Sequence, residues 1–173
     1  MELGTFIFEN SEMNLGEASE AYSRYPQVRT DFDKKLLEYE GAVAALSRMN
    51  PVSIAVEQEE RVDRLAEETE QLHQECKILK AVLSSKAKGM IEENTGLEKD
   101  LSCHTAFIKE DDVEFCLSLH SEAVQLLDND EIMGAIEKAC QARESFTGLL
   151  FQAKKMWIEK HLQKADEMNK ESI

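Results

Sequence analysis

The chain has 173 residues, with 20 lysines and arginines against 35 aspartates and glutamates, giving a net charge of −15. Its 7 glycines and 2 prolines make about 5% of the chain, against roughly 12% in average proteins. That scarcity excludes the sandwiches, barrels and Gly-rich phosphate-binding folds that use both residues at their turns. Charged residues at 32% and apolar residues at 42% fit long helices with one buried face. The expected fold class is therefore all-α: an elongated antiparallel helical bundle or coiled coil with three to four long helices.

The first 29 residues hold one apolar cluster, Phe6-Ile7-Phe8, and no sustained period, which suggests a loosely ordered N-terminal arm over 1–29. Tyr22 and Tyr25 begin a helical spacing, but Pro26 removes a backbone donor and disfavours helix at Tyr25. The first firm helix is placed from Thr30, with Phe32, Leu36, Tyr39, Val43 and Leu46 on one face, ending at Asn50-Pro51. Ser53 is a candidate cap for the next helix, and Glu57 and Glu59 favour its N-terminal dipole.

That helix carries the stripe Val62, Leu65, Thr69, Leu72, Cys76, Leu79 and Leu83, an unbroken alternation of three- and four-residue steps. Such a stripe is a coiled-coil seam. Beyond Leu83 the next seam positions fall on Lys86 and Glu93, and Gly89 and Gly96 each cost about 1 kcal/mol in a helix interior. A bend or end is predicted between Glu92 and Gly96, with Leu97 and Leu101 resuming an apolar face as far as Cys103-His104. Residues 30–103 then read as one antiparallel, coiled-coil-like hairpin.

A third helix begins at Glu110-Asp111-Asp112, with Val113, Leu117, His120, Val124 and Leu127 along one face. After Asp128-Asn129-Asp130 the stripe changes phase to Ile132, Ile136, Ala139, Phe146, Leu150, Ala153 and Trp157, which marks a turn between two helices. Residues 104–173 are expected to form a C-terminal hairpin packing on the first. Within it, 121–155 brings Ala135, Ala139, Ala142 and Gly148 together with large residues and is faintly similar to tetratricopeptide-like or microtubule-interacting-and-trafficking-type hairpins. It lacks their Trp, Gly-Tyr and Pro markers and does not repeat at about 34 residues, so no family is implied.

A charge of −15 repels phosphate backbones and anionic lipid, so neither nucleic acid nor a membrane is an expected partner. No signal-peptide pattern opens the chain, and no run approaches ~18 apolar residues, so a soluble, cytoplasmic protein is expected. Cys76, Cys103, Cys116 and Cys140 do not resemble a disulfide framework and are expected to act as small hydrophobes.

No phosphate-loop, dinucleotide, nucleophile-elbow or zinc-protease motif is present. Cys103 and His104 are adjacent, so on a helix they diverge and cannot pair as nucleophile and base. The chain is expected not to be an enzyme and to carry no cofactor. His73-x-x-Cys76 and Cys116-x-x-x-His120 each place two metal-competent side chains on one helical face, and joined they would make a Cys2His2 tetrahedron. The alternative favoured here is structural, with Cys76 and His120 on seams and His73 on the surface. Glu70-x-x-His73 faces solvent, and Glu110-Asp111-Asp112 lacks the glycine and final glutamate of a calcium loop.

What remains is association. Residues 57–75 set eight acids against Arg61 and Arg64, whereas 154–173 set Lys154, Lys155, Lys160, Lys164 and Lys170 against four acids. The densest apolar and aromatic cluster is Phe146, Leu149, Leu150, Phe151, Met156 and Trp157, the candidate protein-interaction residues if they do not form the bundle's own core. The expected function is a non-catalytic helical interaction protein, acting as subunit, adaptor or scaffold and binding other helical proteins or itself. A membrane-trafficking module using the Lys154–Lys170 face, or a metal-binding bundle, is the alternative.

Overall fold

The computed structural model describes residues 15–171. It contains four long helices: α1 (Leu15–Ser47), α2 (Val56–Ser102), α3 (Glu110–Asp128) and α4 (Ile132–Glu171), with single 3-10 turns at Pro51–Ser53 and Thr105–Phe107. No strand occurs among the described residues, and the protein is all-α, as its composition implies. The chain divides into two compact units between Leu83 and Ser84, inside α2.

In the first unit, α1 and the early part of α2 form an antiparallel hairpin. Arg24 pairs with Glu75, Phe32 lies 5.2 Å from the His73 ring, and Lys35 Nζ reaches Glu68 at 2.9 Å. Residue numbers rise along α1 as they fall along α2. Leu65, Thr69, Cys76, Leu79 and Leu83 of α2 are buried, as are Ala21 and Val28 of α1, while Val62 and Leu72 are half-buried. Thr69 satisfies its hydroxyl on the Leu65 carbonyl at 2.6 Å.

Helix α1 starts earlier than expected. From Leu15 the arm assigned to 1–29 is helical; residues 1–14, with the Phe6-Ile7-Phe8 cluster, lie outside the described residues. The helix runs through Pro26, which costs about 3 kcal/mol in lost backbone bonding and ring clash. Burial on both sides offsets this: Ala21 and Val28 are buried, and the Pro26 ring itself is exposed. The Thr30 hydroxyl donates to the Pro26 carbonyl at 2.9 Å, so the residue expected to cap a new helix braces a continuing one. Ser53 also serves differently. Its hydroxyl donates back to the Asn50 carbonyl at 2.7 Å, and Gln58 Oε1 accepts the Ala55 amide at 3.1 Å to open α2, one half of a capping box.

The second unit is a three-helix bundle of α2 from Ser84, α3 and the first part of α4. Asn94 Nδ2 donates to the Ala139 carbonyl at 2.8 Å, and Leu101 shares a core cluster with Phe146 and Leu150, so α2 and α4 run in the same direction. Between them α3 runs the opposite way: His120 meets Phe146, Glu122 pairs with Lys138 at 3.0 Å, and Leu126 lies 3.4 Å from where a Gly134 Cβ would stand. The α3–α4 turn has Asp130 at φ 65, with the Glu131 amide bonded to the Leu126 carbonyl and the Asp130 amide to the Leu127 carbonyl. This left-handed closure satisfies the last carbonyls of α3, and a short polar Asp tolerates it.

The helix does not end between Glu92 and Gly96, because α2 continues as helix to Ser102. Ala87, Met90, Asn94 and Leu101 are all buried, and this burial holds the helix through its glycines.

Two outcomes follow. Leu79→Asp should destabilise by about 3 kcal/mol or more, since it buries an unpaired charge in the hairpin seam, and circular dichroism melting would register the loss. Gly96→Ala should raise stability by about 0.5–1 kcal/mol, because Gly96 is helical with nothing within 4 Å of its would-be Cβ; a higher urea midpoint at unchanged slope is the readout.

Candidate protein-interaction surface

Helix α4 changes environment partway along. Its inner stripe of Ile132, Ala135, Ile136, Ala139, Ala142, Phe146, Leu150 and Ala153 is buried in the second unit. The small residues let the helices approach closely, and Phe146 fills the centre with no exposed surface. The stripe loses its cover after Ala153. The helix α2 ends at Ser102 and α3 begins at Glu110, and both ends pack around Leu149 and Leu150 through Leu101, Ile108 and Val113. Every residue from 154 to 170 is exposed.

Of the six residues singled out from the sequence, Phe146 and Leu150 are therefore core, and Leu149 packs half-buried against them. They are unavailable to a partner. Their apolar density reflects the level where all three helices of the bundle meet. Phe151 (71% exposed), Met156 (49%) and Trp157 (44%) stand on the outside. Exposed Ile158, Leu162 and Met168 join them; sequence reasoning passed these over because it followed only the stripe leading to Trp157.

Trp157 continues the inner stripe beyond its cover and packs its indole on His161 at 4.3 Å between ring centroids. Lys160 holds its ammonium 5.6 Å from the centre of the Phe107 ring, in the turn at Thr105–Phe107. The lysines Lys154, Lys155, Lys160, Lys164 and Lys170 are spread around the helix at 3.6 residues per turn. They do not form one cationic face opposite one apolar face, which a helix lying on an anionic membrane needs. No helix among the described residues is long and apolar enough to cross a membrane.

The proposed metal tetrad does not gather: among the described residues no group of three His, Cys, Asp or Glu side chains is arranged to hold an ion. His73 instead packs on Phe32, and His120 contacts Phe146 edge-on and Thr95 Oγ1 at 3.5 Å. Burial pushes the Cys76, Cys116 and Cys140 thiols up from their ordinary values, the opposite of what a nucleophile or ligand requires. An open groove in the first unit, lined by Glu38, Glu57, Arg61, Arg64, Leu65 and Glu68, carries charges of both signs and no nucleophile.

Two buried polar groups escaped sequence reasoning. Asn94 has no exposed surface, and its Oδ1 finds no partner. Lys86 is 4% exposed, and desolvation lowers its pKa, with Glu93 opposing the shift and Arg143 adding to it. Comparison with protein-family models, curated proteins and solved structures yields no match to this chain.

Thiol chemistry offers a direct check on these environments. The thiolate is the reactive form, so raised pKa values keep Cys76, Cys116 and Cys140 protonated and slow at neutral pH. Exposed Cys103 should be the first thiol alkylated by iodoacetamide at pH 7.5. The other three should label only after unfolding, or slowly once the pH is raised past the ordinary thiol range and their thiolates begin to form, as peptide mass spectrometry would resolve.

Proposed function

We propose that this protein is a non-catalytic helical interaction protein, a subunit, adaptor or scaffold of a larger assembly, that engages helical partners through the uncovered part of α4. The observation that carries this reading is the change at Ala153: one continuous helix is core before it and exposed on all sides after it. Helices shed water by burying an apolar stripe, and Phe151, Trp157, Ile158, Leu162 and Met168 left in solvent are the kind of surface that marks a protein contact.

The local charge supports a protein partner over a nucleic acid or lipid. Residues 154–170 carry five lysines against Glu159, Asp166 and Glu167 in a chain of net charge −15, so the uncovered segment is near neutrality where the rest of the molecule is strongly acidic. Interfaces of this kind rely on aromatic anchors with a charged rim that sets partner choice. The catalytic and metal-binding alternatives find no support in the raised thiol pKa values and the scattered histidines.

The test is affinity capture with the full chain from its own cells, comparing the wild type with Phe151→Ala/Trp157→Ala. The double variant should lose the specifically recovered proteins and keep its melting temperature within a few degrees, because truncating exposed side chains costs the fold little. Recovery of the same proteins by both forms would place the binding surface elsewhere.

A further inference from the structure

The exposed end of α4 carries a second stripe, distinct from the one that ends in Trp157. Phe151, Ile158 and Ala165 recur every seven residues, and Lys155, Leu162 and Asn169 recur every seven residues four positions on. Together they alternate steps of four and three over 19 residues, the spacing of a coiled-coil seam with Phe151, Ile158 and Ala165 at the d positions and Lys155, Leu162 and Asn169 at the a positions. All six are exposed, Phe151 at 71%, Leu162 at 61% and Ile158 at 51%.

The flanks of that seam differ in charge. On one side, at the g positions, stand Lys154, His161 and Met168; on the other, at the e positions, stand Gln152, Glu159 and Asp166. In a parallel pair each g side chain meets the e side chain five residues further along its partner. A second copy of this helix would set Lys154 against Glu159 and His161 against Asp166, opposite charges or polar pairs at both levels. An antiparallel pair brings g against g and e against e, placing Glu159 and Asp166 side by side. The charge pattern thus selects both the occupant and its direction.

We propose that a second copy of this chain covers the Phe151–Asn169 face, the two α4 helices lying parallel along the seam formed by Phe151, Ile158 and Leu162. This rests on reading the uncovered part of α4 as an interaction surface, and it names the partner. Lys155 and Asn169 at a positions weaken the seam and set its register, since a polar residue there tolerates one alignment better than its alternatives. The seam is short, so the dimer is a concentration-dependent one. The strongly acidic remainder of each copy lies outside the contact, where salt screens its repulsion.

Sedimentation equilibrium of the full chain at physiological salt tests this. The wild type should show a monomer–dimer equilibrium, and Ile158→Asp should be monomeric with an unchanged melting temperature. Lys154→Glu alone should weaken the dimer roughly three- to ten-fold, from two symmetry-related contacts. Adding Glu159→Lys in the same chain should restore it, because the pair is then reversed and not broken. For direction, Ala165→Cys in a Cys103→Ser background should give a disulfide-linked dimer under mild oxidation, since parallel pairing sets residue 165 against itself. A wild type that stays monomeric at ~100 μM, a double reversal that fails to restore pairing, or a dimer that Ala165→Cys cannot cross-link would each overturn the proposal. If the wild type is monomeric yet Phe151→Ala/Trp157→Ala abolishes capture of other proteins, self-pairing falls and the broader interaction reading stands.

Discussion

One stripe along α2 organises both units. It runs Val62, Leu65, Thr69, Leu72, Cys76, Leu79, Leu83, Ala87, Met90, Asn94, Leu97 and Leu101, and each member is buried or half-buried. Steps of three and four alternate along it, with one exception: Leu79 to Leu83 and Leu83 to Ala87 are successive steps of four. An extra four-residue step is a stutter, which locally relaxes the winding a strict heptad imposes and moves the stripe about 40° around the helix. The stutter falls at Leu83, where the compact units divide. The 47 residues of α2 form one continuous helix because its turns bury residues along this stripe, not because its local propensities are high throughout.

The same stutter explains why half of α2 was hidden from sequence reasoning. Extending the Val62–Leu83 alternation by rule leads to Lys86 and Glu93, two charged residues that look like the end of a seam. Shifting one step leads instead to Ala87, Met90, Asn94, Leu97 and Leu101. Periodicity was a sound guide where the repeat was regular, and the start of α3 at Glu110 and the turn after Asp128 were equally readable because three acids and a run of capping residues announce them. Pro26 and Gly96 misled in the other direction. Each disfavours helix locally, by about 3 and 1 kcal/mol respectively, and each is outweighed by apolar residues buried on either side. Propensity names the cost; only packing decides whether it is met.

The candidate surface was legible in part for a related reason. Composition located an aromatic cluster between Phe146 and Trp157, but helical spacing alone could not say where the neighbouring helices stop. That depends on the ends of α2 and α3, at Ser102 and Glu110, and on the antiparallel course of α3 that brings its N-terminus to the level of Leu150. Residues on the covered side of that level are core, and residues beyond it are surface, although they lie on the same helix and share a stripe. Ile158 and Leu162 were passed over because they occupy a different face from Trp157.

Asn94 and Lys86 show a different balance within the second unit. A leucine at 94 would bury apolar area and leave no orphaned oxygen, so the polar residue there weakens the core relative to an apolar one of similar size. Its single bond, to the Ala139 carbonyl, ties α2 to α4 beside the Glu93–Arg143 pair at 3.1 Å. Around that bond the buried face of α4 carries only Ala135, Ala139 and Ala142, which offer little shape to distinguish one alignment from another one turn away. Sliding α4 by a turn would offer the Asn94 amide another backbone carbonyl, but it would part Arg143 from Glu93 and draw Phe146 out of the cluster it shares with Leu101 and Leu150. The registry that these side-chain contacts enforce fixes where along α4 the covered stripe ends, and with it which of the apolar residues after Phe146 remain in solvent.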